Sequence, residues 1–340
     1  MWQKHFTSYI IAIFFILLLT TFWFLPTFAF VVFLSILLDL LLIKPVTELR
    51  LHTHISQGLS ATIVLCCFLI AVGGIISIVS NSVIPSLERF INDLPEITAR
   101  IQELPMIARS SLLTKEVDHL WADIANVGVD AVKSSLTILL SVFSKFIDIL
   151  ITLFITFYLL ADGTQIKRWI ARLFPDEDYG RIMKLFNRIL QSLKIYISSQ
   201  LTVCIITSLI VFAYFYLRHL PYAPVFAVLS GISEFIPVVG PTIASFFGII
   251  MTATISPLIA IHTAFFYLFL TQINHNLIYP FIVGKGLSLH AAAVILAIFL
   301  GGELMGPPGM FLAVPCVVIL RDVIVDIYND VKKKRTLPTA

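Results

Sequence analysis

Apolar runs separated by short polar stretches recur along the whole chain. A helix of about 20 apolar residues crosses the approximately 30 Å hydrocarbon core of a bilayer, and most of the runs approach or exceed that length. They lack the alternating pattern of barrel strands, so membrane-spanning helices are the expected elements. Spans are predicted at residues 9–25, 28–43, 59–80, 136–160 and 201–217, and longer apolar regions follow at residues 223–253, 258–283 and 291–320.

Two of the long regions are interrupted in the middle by one glutamate followed by proline and glycine. The first break contains Glu234, Pro237, Gly240 and Pro241, and the second contains Glu303, Gly306, Pro307, Pro308 and Gly309. An unbroken helix of about 30 residues would be about 45 Å long, which exceeds the thickness of the hydrocarbon core. We therefore predict two re-entrant hairpins whose tips meet at a transport site, because paired Gly/Pro breaks are typical of such sites.

The order of the apolar regions predicts an all-α, polytopic membrane protein with six to eight spans. Six spans result if both interrupted regions are hairpins and eight if both cross the bilayer, and either number returns the C-terminus to the side of the N-terminus. Lysine and arginine near span ends are retained in the cytoplasm, and they occur at Lys4, within residues 167–194 and at residues 332–335. Both termini are therefore expected in the cytoplasm. The hairpin form places Lys285 in the cytoplasm and the eight-span form places it outside, so the preference of lysine for the cytoplasm favours the hairpins.

The predicted organisation has six parts. They are three N-terminal spans in residues 1–82, an extracytoplasmic amphipathic insert in 83–134, a fourth span in 135–162, a basic amphipathic cytoplasmic segment in 163–199, a transport core in 200–323 and a basic cytoplasmic tail in 324–340. Pro95 and Pro105 are expected to break the insert into short helices. The amphipathic segments either lie in the headgroup plane or pack against the helix bundle, and both alternatives remain open.

Composition supports a membrane protein and argues against several other classes. Hydrophobic residues make up 59% of the chain and charged residues 13%, far from the balance of soluble domains. The net charge of +3 is small and the basic residues form no stripe, so no nucleic-acid partner is expected. The sequence has no His-Glu-x-x-His, Gly-x-Ser-x-Gly or phosphate-loop motif, and its four cysteines lack metal-binding spacing. We therefore expect no enzyme activity, no metal site and no cofactor.

Glu234 and Glu303 are candidate ion-binding residues, because a carboxylate at membrane depth is costly and usually faces a cavity or a partner. The alternative for each is a helix cap or a hydrated position at a hairpin tip. Three amides before Pro280 either face the same cavity or bond neighbouring helices. The complete predicted site comprises Glu234, Pro237, Gly240, Pro241, Gln272, Asn274, Asn276, Pro280, Glu303, Gly306 and Gly309. Asp39, near the end of the second predicted span, is expected to be hydrated.

The residues at these breaks resemble the autoinducer-2 exporter family of bacterial membrane proteins, which includes permeases of the PerM type. The stretch from Glu234 to Pro241 is similar to the family's Glu-x-x-Pro-x-x-Gly-Pro element. Further matches lie at Asn276, Pro280, Gly284, Leu289, His290, Gly302, Gly306, Gly309, Met310 and Pro315. The chain departs from the family at Asn274, where an acidic residue is common, and at Ala291, where a proline is common. The resemblance implies export of autoinducer-2 or sodium/proton exchange by an oligomer with elevator-like movement.

The predicted function is secondary transport in the inner, or cytoplasmic, membrane by alternating access. The expected partners are the lipid bilayer, a small polar solute, H+ or Na+ as coupling ion, and further copies of the chain in a homo-oligomer. The alternative is a non-transporting membrane scaffold that binds partners through the insert and the basic cytoplasmic segment.

Overall fold

The computed structural model describes residues 9–13, 17, 20–21, 24–102, 135–279 and 289–336. These residues are predominantly helical and include no β-strand, which confirms the all-α prediction. The main helices are α1 (Pro26–Thr53), α2 (Gln57–Gln102), α3 (Ser135–Ala171), α4 (Tyr179–Leu217), α5 (Ala223–Ser233), α6 (Val239–Ala253), α7 (Pro257–Ile273), α8 (Ala291–Met305) and α9 (Pro307–Thr336). A short 3-10 helix, Asp176–Asp178, precedes α4, and a π-helical turn, Asn274–Ile278, follows α7.

Five helical stretches within the described residues are long and apolar enough to cross a membrane. They are Pro26–Thr53, Gln57–Ser77, Lys145–Ala171, Asp176–Leu217 and Pro257–Ile278. They coincide with the predicted second to fifth spans and with the apolar region that begins at residue 258. The prediction of a multi-pass membrane protein is therefore confirmed.

Helix α2 is longer than the sequence predicted. It continues as one helix to Gln102, through Pro95, so the predicted break at Pro95 is wrong. A proline removes one backbone hydrogen bond, but the helix continues past it, and residues before it are anchored to Tyr222. Phe90 is buried against Tyr222 with ring centroids 5.2 Å apart, and Asp93 accepts a hydrogen bond from the Tyr222 hydroxyl. Residues 103–134, which hold Pro105 and the rest of the predicted insert, lie outside the described residues.

The chain divides into two compact units. The first unit comprises Met1–Leu69, Ile147–Ser199 and Val283–Ala340, and the second comprises Ile70–Phe146 and Gln200–Ile282. In the first unit, Val46, Ala61 and Leu160 form a core in which each is at most 1% exposed. In the second unit, Phe215 and Phe226 stack at 4.9 Å between ring centroids within a larger aromatic core.

The first half of α4 belongs to the first unit and packs against the protein. Its apolar face is buried at Ile182, Leu185, Ile189 and Leu193. This part of the predicted cytoplasmic segment packs against the helices, whereas its apolar residues Trp169 and Leu173 are exposed, so a position in the headgroup plane stays a prediction for them. Arg181 fixes this part of α4 to α9 through ion pairs with Asp326 at 2.8 Å and Asp330 at 3.0 Å.

Helices α5 and α6 form a hairpin in the second unit. Ser230 Oγ lies 3.2 Å from the Tyr267 hydroxyl oxygen, and a Cβ built on Gly248 would lie 2.9 Å from the same atom. In a continuous helix these two positions, about 18 residues apart, would be separated by about 27 Å. Contact of both with one side chain requires the chain to reverse between them, as predicted for the first interrupted region.

Helices α8 and α9 form a second hairpin, in the first unit, with its turn at Gly306. Gly306 has φ 64° and ψ −145°, a conformation that residues with a Cβ rarely adopt. Across the turn, a Cβ built on Gly309 would lie 2.0 Å from the Gly301 carbonyl oxygen, so the two backbones touch. Both interrupted regions are therefore hairpins, in agreement with the six-span form of the prediction.

Candidate functional site

The turn between α5 and α6 is fixed by backbone geometry. Val238 has φ 70° and ψ −57°, and the Val239 N–H donates to the Pro237 carbonyl oxygen at 2.8 Å. This is a γ-turn of the strained kind, which a β-branched residue adopts only when its surroundings hold it there. Gly240 allows the reversal, because a Cβ at that position would lie 1.8 Å from the Ser233 carbonyl oxygen.

The same turn begins at Glu234, whose side chain is buried with 4% of its surface exposed. Glu234 Oε1 accepts hydrogen bonds from Asn274 Nδ2 at 2.8 Å and from Thr207 Oγ1 at 3.1 Å. Asn274 Nδ2 also donates to Thr207 Oγ1 at 2.9 Å, and Gln200 Nε2 donates to the Glu234 main-chain carbonyl at 2.5 Å. We call these four residues the Glu234 cluster, and all of them lie in the second unit.

A π-helical turn positions the amide of this cluster. The Tyr279 N–H donates to the Asn274 carbonyl, five residues earlier, which places the two residues above one another. In an α-helix, residues five apart would point about 140° away from each other. The Tyr279 hydroxyl consequently reaches Gln200 Oε1 at 3.3 Å while Asn274 reaches Glu234.

The Glu234 carboxyl group is held only by neutral partners. No ion pair or hydrogen bond joins it to a lysine, arginine or histidine within the part of the chain that the structure describes. Asn274 Oδ1 is also buried and has no hydrogen-bond partner among the described residues. A buried acceptor without a donor is costly, so an acceptor beside a carboxyl group can take a proton-bearing group or a small cation.

The other predicted residues of the second unit that the structure describes make no hydrogen bond to this carboxyl group. Gln272 and Asn276 are exposed, and Asn276 Nδ2 donates to Gln272 Oε1 at 2.9 Å. Pro237 and Pro241 are half-buried and belong to the turn and to the first turn of α6. Pro280 lies outside the described residues. Of the three predicted amides, the structure therefore brings Asn274 to Glu234.

The remaining predicted residues belong to the second hairpin and hence to the first unit. Glu303 is exposed on α8, three residues before the turn at Gly306. Gly309 is buried against Gly301 and serves the backbone contact of that hairpin. A joint site at the two tips stays a prediction.

Sequence reasoning missed Gln200, Thr207 and Tyr279. Gln200 and Thr207 are seven residues apart, so they share one face of α4, and both interrupt an otherwise apolar face. That spacing of two polar residues on an apolar face could have indicated a polar contact there. Tyr279 gave none, because its position depends on the π-helical turn.

Comparison with known proteins places this architecture among transport proteins. A family model described as AI-2E family transporter matches residues 12–329. The chain is 26% identical over 330 residues to "Putative transport protein YueF" of Bacillus subtilis, with 90% of this chain and 88% of that protein covered. It is 23% identical over 295 residues to the AI-2 transport protein TqsA of Escherichia coli, with 85% and 83% covered. The family predicted from the Glu234–Pro241 motif is confirmed.

Proposed function

Since the chain belongs to the AI-2E transporter family, we propose that it exports a small polar solute, such as an autoinducer-2-like signal, or exchanges ions across the inner, or cytoplasmic, membrane. The observation that carries the proposal is the buried Glu234 carboxyl group at a hairpin tip, held by neutral donors among apolar helices. A relative of similar length is named as a transport protein for AI-2, which supports a polar solute as the cargo.

Glu234 is the proposed carrier of the coupling ion, H+ or Na+. A carboxylate charge is costly in the hydrocarbon interior, and an ion bound to it removes that charge. Movement of the hairpin tip between the two sides is therefore easier with the ion bound than without it. This difference would couple solute movement to an ion gradient by alternating access.

The groups beside Glu234 can bond its carboxyl group in both the charged and the protonated state. The Thr207 hydroxyl can donate to a charged carboxylate or accept from a protonated one, whereas Asn274 Nδ2 only donates. Asn274 Oδ1 supplies an acceptor that an arriving ion or solute donor can use. Loss of either neighbour should therefore impair coupling even though the carboxyl group remains.

The assembly and orientation complete the proposal. Both termini are proposed to be cytoplasmic, because basic residues concentrate in residues 167–194 and 332–335. A homo-oligomer is proposed as the working form. Glu303 remains the second candidate carboxylate, at the turn of the other hairpin.

Reconstitution of the purified protein in liposomes tests the proposal. Sodium or pH gradients are imposed while an entrapped pH dye reports proton movement and release of a candidate polar solute is followed. We expect gradient-dependent flux that empty liposomes lack. No flux under any gradient would contradict transport and favour the scaffold alternative.

Two variants test the role of the neighbours of Glu234 in the same liposomes. Thr207→Val and Asn274→Leu each remove a hydrogen bond to the carboxyl group, and we expect each to reduce flux by about ten-fold or more. Thr62→Val is the matched control, because the Thr62 hydroxyl donates to Gly58 O within its own helix. Equal flux in Thr207→Val and Thr62→Val would show that the Thr207 hydroxyl has no role in coupling.

A further inference from the structure

The first unit encloses a cavity of about 520 Å³ that the Glu234 cluster does not use. Its walls come from α1, α3, the first half of α4, one residue of α9, Gln57 at the start of α2, and Thr21, and most of them are apolar. Val32, Ile36, Leu159, Leu190 and Ile319 are typical of the lining. This volume falls within the range of small-molecule binding sites, which usually combine apolar walls with a few polar groups.

Asp39 supplies an acid to this cavity. It lies in the interior of α1 and not near a helix end, and its Oδ1 is buried without a hydrogen-bond partner among the described residues. Helix α1 continues ten residues beyond the predicted span end at residue 43, to Thr53, and the expectation that Asp39 is hydrated stays a prediction. Because Asp39 lines the cavity, a ligand there that carries a positive charge and N–H donors can pair with its carboxylate.

The cationic side chains around Asp39 leave this oxygen unsatisfied. Lys167 also lines the cavity, but its Nζ donates to Asn187 Oδ1 at 2.7 Å. Lys194 on α4 attracts Asp39 electrostatically without a hydrogen bond to Oδ1. Gln57 is likewise engaged, because its Nε2 donates to the Leu160 carbonyl at 2.8 Å.

We propose that this cavity binds an amphipathic amine, with the ammonium group at the Asp39 carboxylate and the apolar body against α1, α3 and α4. A cation is favoured because the acidic group in the lining is a carboxylate, and an ammonium group supplies both charge and N–H donors. An apolar body is favoured because the remaining walls offer few free polar groups. The cavity shares no residue with the Glu234 cluster, and its occupancy does not depend on the transport proposal.

Gly163 allows the cavity to be closed without touching Asp39. It lines the cavity, and a Cβ built on it meets no atom within 4 Å, so a larger side chain there enters open space. Gly163→Leu should therefore exclude a ligand by volume alone. Gly74→Leu is the matched control, because a Cβ on Gly74 also meets nothing and Gly74 lies on an exposed part of α2 away from the cavity lining.

Dansylcadaverine, a fluorescent primary amine with an apolar body, is the probe, and its neutral N-acetyl derivative is the comparison. Each is titrated into the full chain in nanodiscs, with empty nanodiscs subtracted. We expect the amine to bind at least about ten-fold tighter than the acetylated probe. Asp39→Asn should abolish that preference, and Gly163→Leu should weaken binding of the amine about ten-fold or more.

The controls are Glu48→Gln, which removes an exposed carboxylate from the same helix, and Gly74→Leu, and both should bind as the unmodified protein does. Equal affinity for the two probes, or a preference retained in Asp39→Asn, would overturn the proposal. So would the absence of binding above empty nanodiscs. If Asp39→Asn fails to assemble, the probe preference of the unmodified protein and the Gly163→Leu result decide the question.

Discussion

Replacing Gly240 with alanine tests whether the first hairpin tip depends on direct backbone contact. The new Cβ would lie 1.8 Å from the Ser233 carbonyl oxygen and 2.5 Å from its carbonyl carbon. Nonbonded carbon and oxygen atoms stay beyond about 3.3 Å, so the two segments would have to separate by about 1.5 Å. The Ser233 oxygen is also held by the Ile236 N–H at 3.0 Å. We expect a loss of about 3 kcal/mol in the free energy of unfolding, at the upper end of overpacking effects.

This change is measured by heating the protein in detergent and recording the temperature at which half of it is no longer monodisperse. A loss of about 3 kcal/mol corresponds to a fall of roughly 4 °C in the midpoint for a chain of 340 residues, whose unfolding entropy is about 0.7 kcal/mol/K. Gly74→Ala is the control, because a Cβ there meets no atom within 4 Å and alanine raises helix propensity by up to about 1 kcal/mol. A Gly240→Ala midpoint equal to that of Gly74→Ala would refute the backbone-contact reasoning.

Two further substitutions, and Lys44→Ala as the control for the second, are measured by the same thermal assay. Val238→Gly should raise the free energy of unfolding by about 1 kcal/mol, because glycine adopts the positive φ without strain. Little packing is lost, since the valine side chain is half-exposed. A midpoint lower than that of the unmodified protein would contradict this prediction. Arg181→Ala should cost about 3 kcal/mol, because it leaves two largely buried aspartates on α9 without their cation. Lys44→Ala should change stability by less than about 0.5 kcal/mol, because its pair with Glu48 spans 3.8 Å in an exposed position. Equal changes in the free energy of unfolding for Arg181→Ala and Lys44→Ala would show that burial does not strengthen the Arg181 ion pairs.

Much of the architecture was predictable because the bilayer imposes a length on each apolar segment. The Gly/Pro breaks also predicted both hairpins, since Gly306 needs a positive φ and Gly240 a position with no Cβ. These are local requirements that single residues reveal. The continuity of α2 was not predictable in this way, because the burial of Phe90 against residues of α4 to α7 depends on contacts distant in the chain.

The candidate site was predictable only in part. Glu234 stood out as an acid in an apolar run, and Asn274 as an amide in an apolar helix. Their pairing depends on contacts between residues 40 apart in the chain, and the bond to Thr207 on residues 27 apart. Periodicity within one helix cannot supply such contacts, and no pattern in the sequence indicated the π-helical turn that aligns Asn274 with Tyr279.

The buried Glu234 carboxyl group is proposed to couple transport to an ion gradient. The most direct test of this claim is gradient-driven flux through Glu234→Gln in liposomes, because glutamine keeps the size of the side chain and removes its ability to bind a proton or carry a charge. Glu48→Gln, which removes an exposed carboxylate, serves as the control. We predict that Glu234→Gln assembles normally but loses gradient-driven flux while Glu48→Gln retains it. Flux through Glu234→Gln at the level of the unmodified protein would contradict the claim.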